Sequence, residues 1–193
     1  MAEQDREARL VWIDLEMTGL NPRQDVILEI ASIVTEPDLE VVAEGPCLPV
    51  HWPEEILARM KPIVRNMHTK NGLIERVREA TLRLSEAERQ TMQFLREHCT
   101  EKASPLCGNT VWMDRVFLMG QMPQVDAFLH HRVVDVSSLK ELARRWRPDA
   151  LQNAPTKPDS HRALDDIRAS VEELRHYREV GFLALSDSRS AHD

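Results

Sequence analysis

Asp14 and Glu16 stand two residues apart in Leu10–Met17, where Val11, Ile13 and Leu15 alternate with Trp12, Asp14 and Glu16. That is strand period, so both carboxylates point to one face. Two acids on one face of so apolar a strand are costly unless water or a cation compensates them. One reading is a solvated edge strand, although Leu10 and Trp12 share that face. The other is a site for a hard divalent cation such as Mg²⁺ or Mn²⁺, with the turn Thr18-Gly19-Leu20-Asn21-Pro22 opening it to substrate.

Two further groups carry candidate chemistry. His161-Arg-Ala-Leu-Asp-Asp166 opens the last helical segment, whose stripe is Ile167, Val171, Leu174 and the stem of Arg178. On a helical wheel Asp165 lies ~160° from Ile167 and faces water, whereas Asp166 lies ~100° away at the border of the buried face. Asp166 is therefore the candidate ligand, and Asp165 a first-turn acid that favours the helix dipole. In Cys107-Gly108-Asn109-Thr110-Val111-Trp112-Met113-Asp114 a strand runs into a turn, and Asp114 heads the next helix. That position also suits a helix cap.

These groups need elements to hold them. Val26–Thr35 reads as a central strand, and Glu40–Val50 as a third strand broken at Gly45-Pro46. Helices are expected over Glu54–Met60, Gly72–Ala80 and Ser85–Cys99, the last with a Ser85/Glu88 capping box. Pro105–Val111 and Val133–Val136 read as strands. Asp114–Met122, Gln124–His130, Ser137–Trp146 and Arg162–Val180 read as helices, and Gln152–Asp159 as a loop. Early strands followed by alternating strands and helices indicate an α/β sheet covered on its faces.

Composition bounds the partners. The 193 residues carry 25 Lys+Arg against 32 Asp+Glu, a net charge of −7. A protein gripping long nucleic acid through many phosphates usually shows a basic excess. A nucleic-acid substrate here should be short, or held by metal ions and a few local bases. No apolar run has the length of a membrane helix. Cys47, Cys99 and Cys107 form neither a disulfide framework nor a CxxC site, and the opening residues lack a secretory signal. The expectation is a cytoplasmic protein with one domain over residues 1–185 and a frayed tail at 186–193.

In chain order, Asp-x-Glu on the first strand, Asp114 at a mid-chain junction and His161-x4-Asp166 resemble the histidine-bearing branch of the DEDD 3′→5′ exonucleases. Within that branch, residues 12–20, 67–73, 135–146 and 161–168 are similar to the oligoribonuclease family. The resemblance implies an RNase H-like mixed sheet with a three-strand meander and helices on both faces. It implies that Asp14, Glu16, Asp114 and Asp166 bind two divalent cations, Mg²⁺ or Mn²⁺. Two such ions clamp a scissile phosphate, activating water and stabilising the leaving oxygen. His161 would be the general base. Leu20 would wedge against a base and His68 would stack on the terminal one. A cap at Arg132, Ser137 and Lys140 would meet the 5′ phosphate of a very short RNA, and the assembly would be a homodimer. His131 stands where these enzymes commonly carry Tyr, Ile63 where many carry an aromatic residue, and Trp112-Met113 where the stretch is usually smaller and more polar. A longer-strand exonuclease and a non-catalytic nucleotide-binding protein of the same fold are the competing functions.

Overall fold

The computed structural model describes residues 6–152, 154–155 and 162–180. Strand β1 (Leu10–Met17) pairs antiparallel with β2 (Ile27–Thr35). The third strand forms as two pieces, β3 (Val41–Glu44) and β4 (Leu48–Pro49), both on the far edge of β2. The break falls at Gly45-Pro46, as the sequence suggests. A side chain at Gly45 would meet Ser32 Oγ at 2.4 Å and Phe94 at 2.7 Å, so only glycine fits there. β5 (Leu106–Gly108) adds parallel to β1, and β6 (Val133–Asp135) parallel to β5, giving the order β3-β2-β1-β5-β6.

The alternation in β1 sorts its residues onto two cores. Val11, Ile13 and Leu15 pack beneath α4 (Leu84–His98), α5 (Trp112–Gln121) and α6 (Pro123–Phe128). Trp12 packs on the other face with α7 (Val136–Trp146) and α8 (Ala163–Glu179) through Val136, Ala143, Ile167, Val171 and Tyr177. The strand of Asp14 and Glu16 is thus interior, and α8 covers their face. The register slips between Glu16 and Met17, so Leu28 becomes an extra residue in β2. This bulge turns Leu28 into a satellite core with Leu57 at the end of α1 (Glu54–Leu57), Met60, and Leu73, Ile74 and Val77 of α3 (Leu73–Glu79).

One helix adds to the expected elements, and two local expectations are corrected. Pro62–Lys70 is a helix, α2, with Pro62 in its first turn, where a missing N–H costs nothing. The capping box does not form: α4 starts at Leu84 after Arg83, without a side-chain cap bond. Glu88 instead accepts the Gln124 N–H at 2.7 Å and so caps α6. The buried side of α8 excludes Arg178, which is exposed and donates to the Asp38 carbonyl. Ser170, Glu173 and Tyr177 are buried in its place. With Asp166 they form an i, i+4, i+7, i+11 stripe facing the sheet.

Candidate active site

Asp14, Glu16 and Asp166 each bring one carboxylate oxygen within 4.8 Å of the others. The strand puts the first two on one face, and α8 brings Asp166 down onto it. Asp165 points away and pairs with Arg168 at 3.1 Å. Glu16 is 8% exposed. Burial, then Asp166, Glu29 and Asp114, push its carboxyl up to about 8, while Arg76 opposes the rise. Acids driven together in this way bind a cation readily, and three hard oxygen donors suit Mg²⁺ or Mn²⁺.

Asp114 lies beside this trio rather than in it. Its Oδ1 accepts the Leu15 N–H at 3.0 Å, beyond the last rung of the β1–β5 ladder. Burial raises its carboxyl, against the lowering effect of its backbone hydrogen bonds. The same group that closes the strand's hydrogen bonding therefore also acts on Glu16 through its charge. Glu29, opposite Glu16 on β2, is fully buried and bound by Arg76. Neither member of this pair stands out in the sequence, because they meet across 47 positions.

Leu20 is 67% exposed in the turn after β1. Asp25 builds that turn by accepting from Thr18 Oγ1 and the Asn21 N–H, each at 2.9 Å. A Cβ at Gly19 would fall 2.5 Å from the Asp25 carboxylate, so the turn requires glycine. His68 lies on α2, fully buried. Its Nε2 is 2.9 Å from the Met17 carbonyl, and its Nδ1 is 3.9 Å from Glu16. The ring ties α2 to the end of β1 and supports Glu16 from behind. His161 lies outside the described residues, as do most of the Gln152–Asp159 loop and the tail at 186–193.

Of the remaining candidates, Ser137 and Lys140 lie in the first turns of α7, whereas His131 and Arg132 precede β6 at its other end. Asp135 caps this helix, accepting the Ser137 N–H at 2.9 Å and the Thr110 N–H at 3.0 Å. Thr110, Trp112, Asp135 and Ser137 line a cleft of about 480 Å³. Lys140 is bound to Glu173 at 2.9 Å and is not a loose cation. Arg132 and His131 are exposed in the segment before β6, where the His131 ring lies against His130.

Residues 11–174 match the RNase T exonuclease family. The chain is 53% identical over 174 residues to the oligoribonuclease of Marinobacter nauticus, covering 90% of this chain and 96% of that one. It is 51% identical over 170 residues to the Pseudomonas aeruginosa oligoribonuclease, covering 88% and 94%. The chain belongs to the oligoribonuclease family. Its fold is that of an exonuclease: Escherichia coli exonuclease I in complex with a dT13 oligonucleotide superposes with a TM-score of 0.70 at 14% identity. That match covers 91% of this chain and 42% of the exonuclease, so the chain spans less than half of that larger protein. The shared fold together with membership of the oligoribonuclease family bears out the expected mixed sheet with its three-strand meander.

Proposed function

We propose that this oligoribonuclease-family chain is a metal-dependent 3′→5′ exoribonuclease that hydrolyses short oligoribonucleotides, dinucleotides above all, to 5′-mononucleotides. The observation that carries this reading is the convergence of Asp14, Glu16 and Asp166 from two elements onto one point. Those three, with Asp114, would hold two divalent cations, Mg²⁺ or Mn²⁺. Bound cations would supply Lewis-acid activation of water and charge neutralisation at the phosphate.

The chain's own groups do the rest. His161, two residues before α8 begins, takes the proton of the attacking water on an imidazole nitrogen. Leu20, exposed on its Asp25-braced turn, wedges against a base. His68 serves here from beneath, fixing Met17 and Glu16 rather than stacking. Lys140, Ser137 and Arg132 meet the 5′ phosphate, with His131 beside them. The acidic net charge supports a short substrate, since each phosphate beyond this cap gains little attraction.

A cytoplasmic location belongs to the same reading, supported by three unbridged cysteines. Among the described residues no helix is long and apolar enough to cross a membrane. Homodimer formation belongs to it too: Trp112, Val116 and Met119 form an exposed apolar stripe at i, i+4, i+7 on α5 that a second copy could cover. The deciding experiment is Mn²⁺-dependent hydrolysis of an RNA length series. Preferential loss of dimers and short oligomers supports the proposal, and progressive trimming of long 3′ tails refutes it.

A further inference from the structure

Glu173 is a charged group that the mechanism above does not use. It lies on α8, 2% exposed, two turns beyond Asp166. A carboxylate at that depth persists only with several donors. Lys140 Nζ reaches its Oε1 at 2.9 Å, as does the Tyr177 hydroxyl at 3.0 Å. Asn109 Nδ2 donates to Oε2 at 3.2 Å.

Asn109 joins two parts of the site. Its Nδ2 also donates to Ser170 Oγ at 2.8 Å, and that hydroxyl donates to the Asp166 carbonyl at 2.8 Å. Its Oδ1 accepts the Ser137 hydroxyl at 3.0 Å. Ser137 Oγ in turn accepts the Thr110 N–H at 2.8 Å. Thr110 has a φ of 56°, a left-handed conformation that a β-branched residue adopts only when its surroundings impose it. One hydrogen-bonded chain thus runs from the backbone of the Asp166 helix to the cleft wall and to Lys140.

We propose that Glu173 and Asn109 are positioning residues that hold Lys140 and the Thr110–Ser137 pair at a set distance from the carboxylate cluster, so that one short substrate reaches both. The proposal rests on the reading that Lys140 and Ser137 meet a 5′ phosphate. Lys140 keeps two N–H donors beyond the one on Glu173. Its ammonium is therefore aimed, not consumed. This role fixes a sign. A charge argument alone says that neutralising Glu173 tightens anion binding; positioning says that it weakens binding.

The test is the affinity of 5′-phosphorylated diadenylate and of its dephosphorylated form, in Ca²⁺ to suppress cleavage, with kcat and KM measured in Mn²⁺. The proteins are the native chain, Glu173→Gln, Asn109→Ala (which leaves no new buried charge) and Lys140→Met. The expected result is a loss of about tenfold in affinity for the phosphorylated dimer in both Glu173→Gln and Asn109→Ala. The loss appears in KM rather than kcat, and binding of the dephosphorylated dimer is unchanged. Tighter or unaltered binding by Glu173→Gln, or equal weakening of both dimers, overturns the proposal. If the native chain prefers the phosphorylated dimer, and Lys140→Met alone abolishes that preference, only the positioning role falls. If the native chain ignores the phosphate, the 5′-phosphate reading falls and takes the proposal with it.

Discussion

Glu16 and Glu29 are direct partners across the β1–β2 ladder, and Arg76 binds Glu29. Two carboxylates facing each other inside a sheet repel. Arg76 from α3 ties up one of them and lowers the proton affinity of the other. Arg76→Met leaves Glu29 buried without its counter-ion. The stability loss should fall below the about 3–5 kcal/mol of a fully buried broken pair, because Arg76 remains partly in water. Glu16 should then release its proton at higher pH, moving the acid limb of the activity profile upward. Urea unfolding and a pH–rate profile measure the two effects.

The proton on Glu16 predicts how stability follows pH. In the folded, metal-free protein its carboxyl is raised from 4.5 to about 8. Between those values the folded state holds a proton that the unfolded chain has lost. Stability with EDTA present should therefore fall as pH rises from about 5 to about 8, by an amount on the order of a few kcal/mol at most. Mn²⁺ should flatten this slope, raising Tm more at the alkaline end, where no proton competes for the carboxylate. Thermal unfolding with and without Mn²⁺ checks both statements.

Much of this site was legible in the sequence, because its acids interrupt strong periodic patterns. Asp14 and Glu16 break an apolar strand, and Asp166 sits at the edge of a helical stripe. Helix α2 is hidden in the sequence for a physical reason: Pro62 and Lys61 look like loop punctuation, while Ile63, Val64, Met67 and His68 carry only two turns of helical spacing. Glu173 and Ser170 escaped because a polar residue on a wheel is assigned to solvent by default. The i, i+4, i+7 relation to Asp166 was the available signal. Arg76 bonds to a residue 47 positions away, and no local pattern encodes that.

Asp165 and Asp166 are adjacent and chemically identical, so they make a controlled comparison. Asp166→Asn removes one charge from the trio and relieves repulsion. The metal-free protein should remain folded with an unchanged or higher Tm, and the Mn²⁺-induced rise in Tm should shrink sharply with loss of hydrolysis. Asp165→Ala removes the exposed contact with Arg168 and a first-turn charge, each worth at most about 1 kcal/mol, and should leave hydrolysis intact. An inactive Asp165→Ala alongside an active Asp166→Asn would reverse the assignment.

Asp114 has two duties, and its two substitutions should separate them. Its Oδ1 satisfies the buried Leu15 N–H, a strand group that β5 is too short to reach. Asparagine keeps that acceptor and removes the charge. Asp114→Asn should therefore fold like the native protein and, on the proposed function, lose hydrolysis, because the acids that would hold the cations lose a member. Alanine removes the acceptor as well. An unsatisfied buried N–H costs about 1–3 kcal/mol, so Asp114→Ala should be inactive and measurably less stable. The loss should localise to the end of β1, with faster amide exchange at Leu15 than in Asp114→Asn. Equal stability of the two variants would mean that water reaches Leu15, and that Asp114 serves the reaction alone.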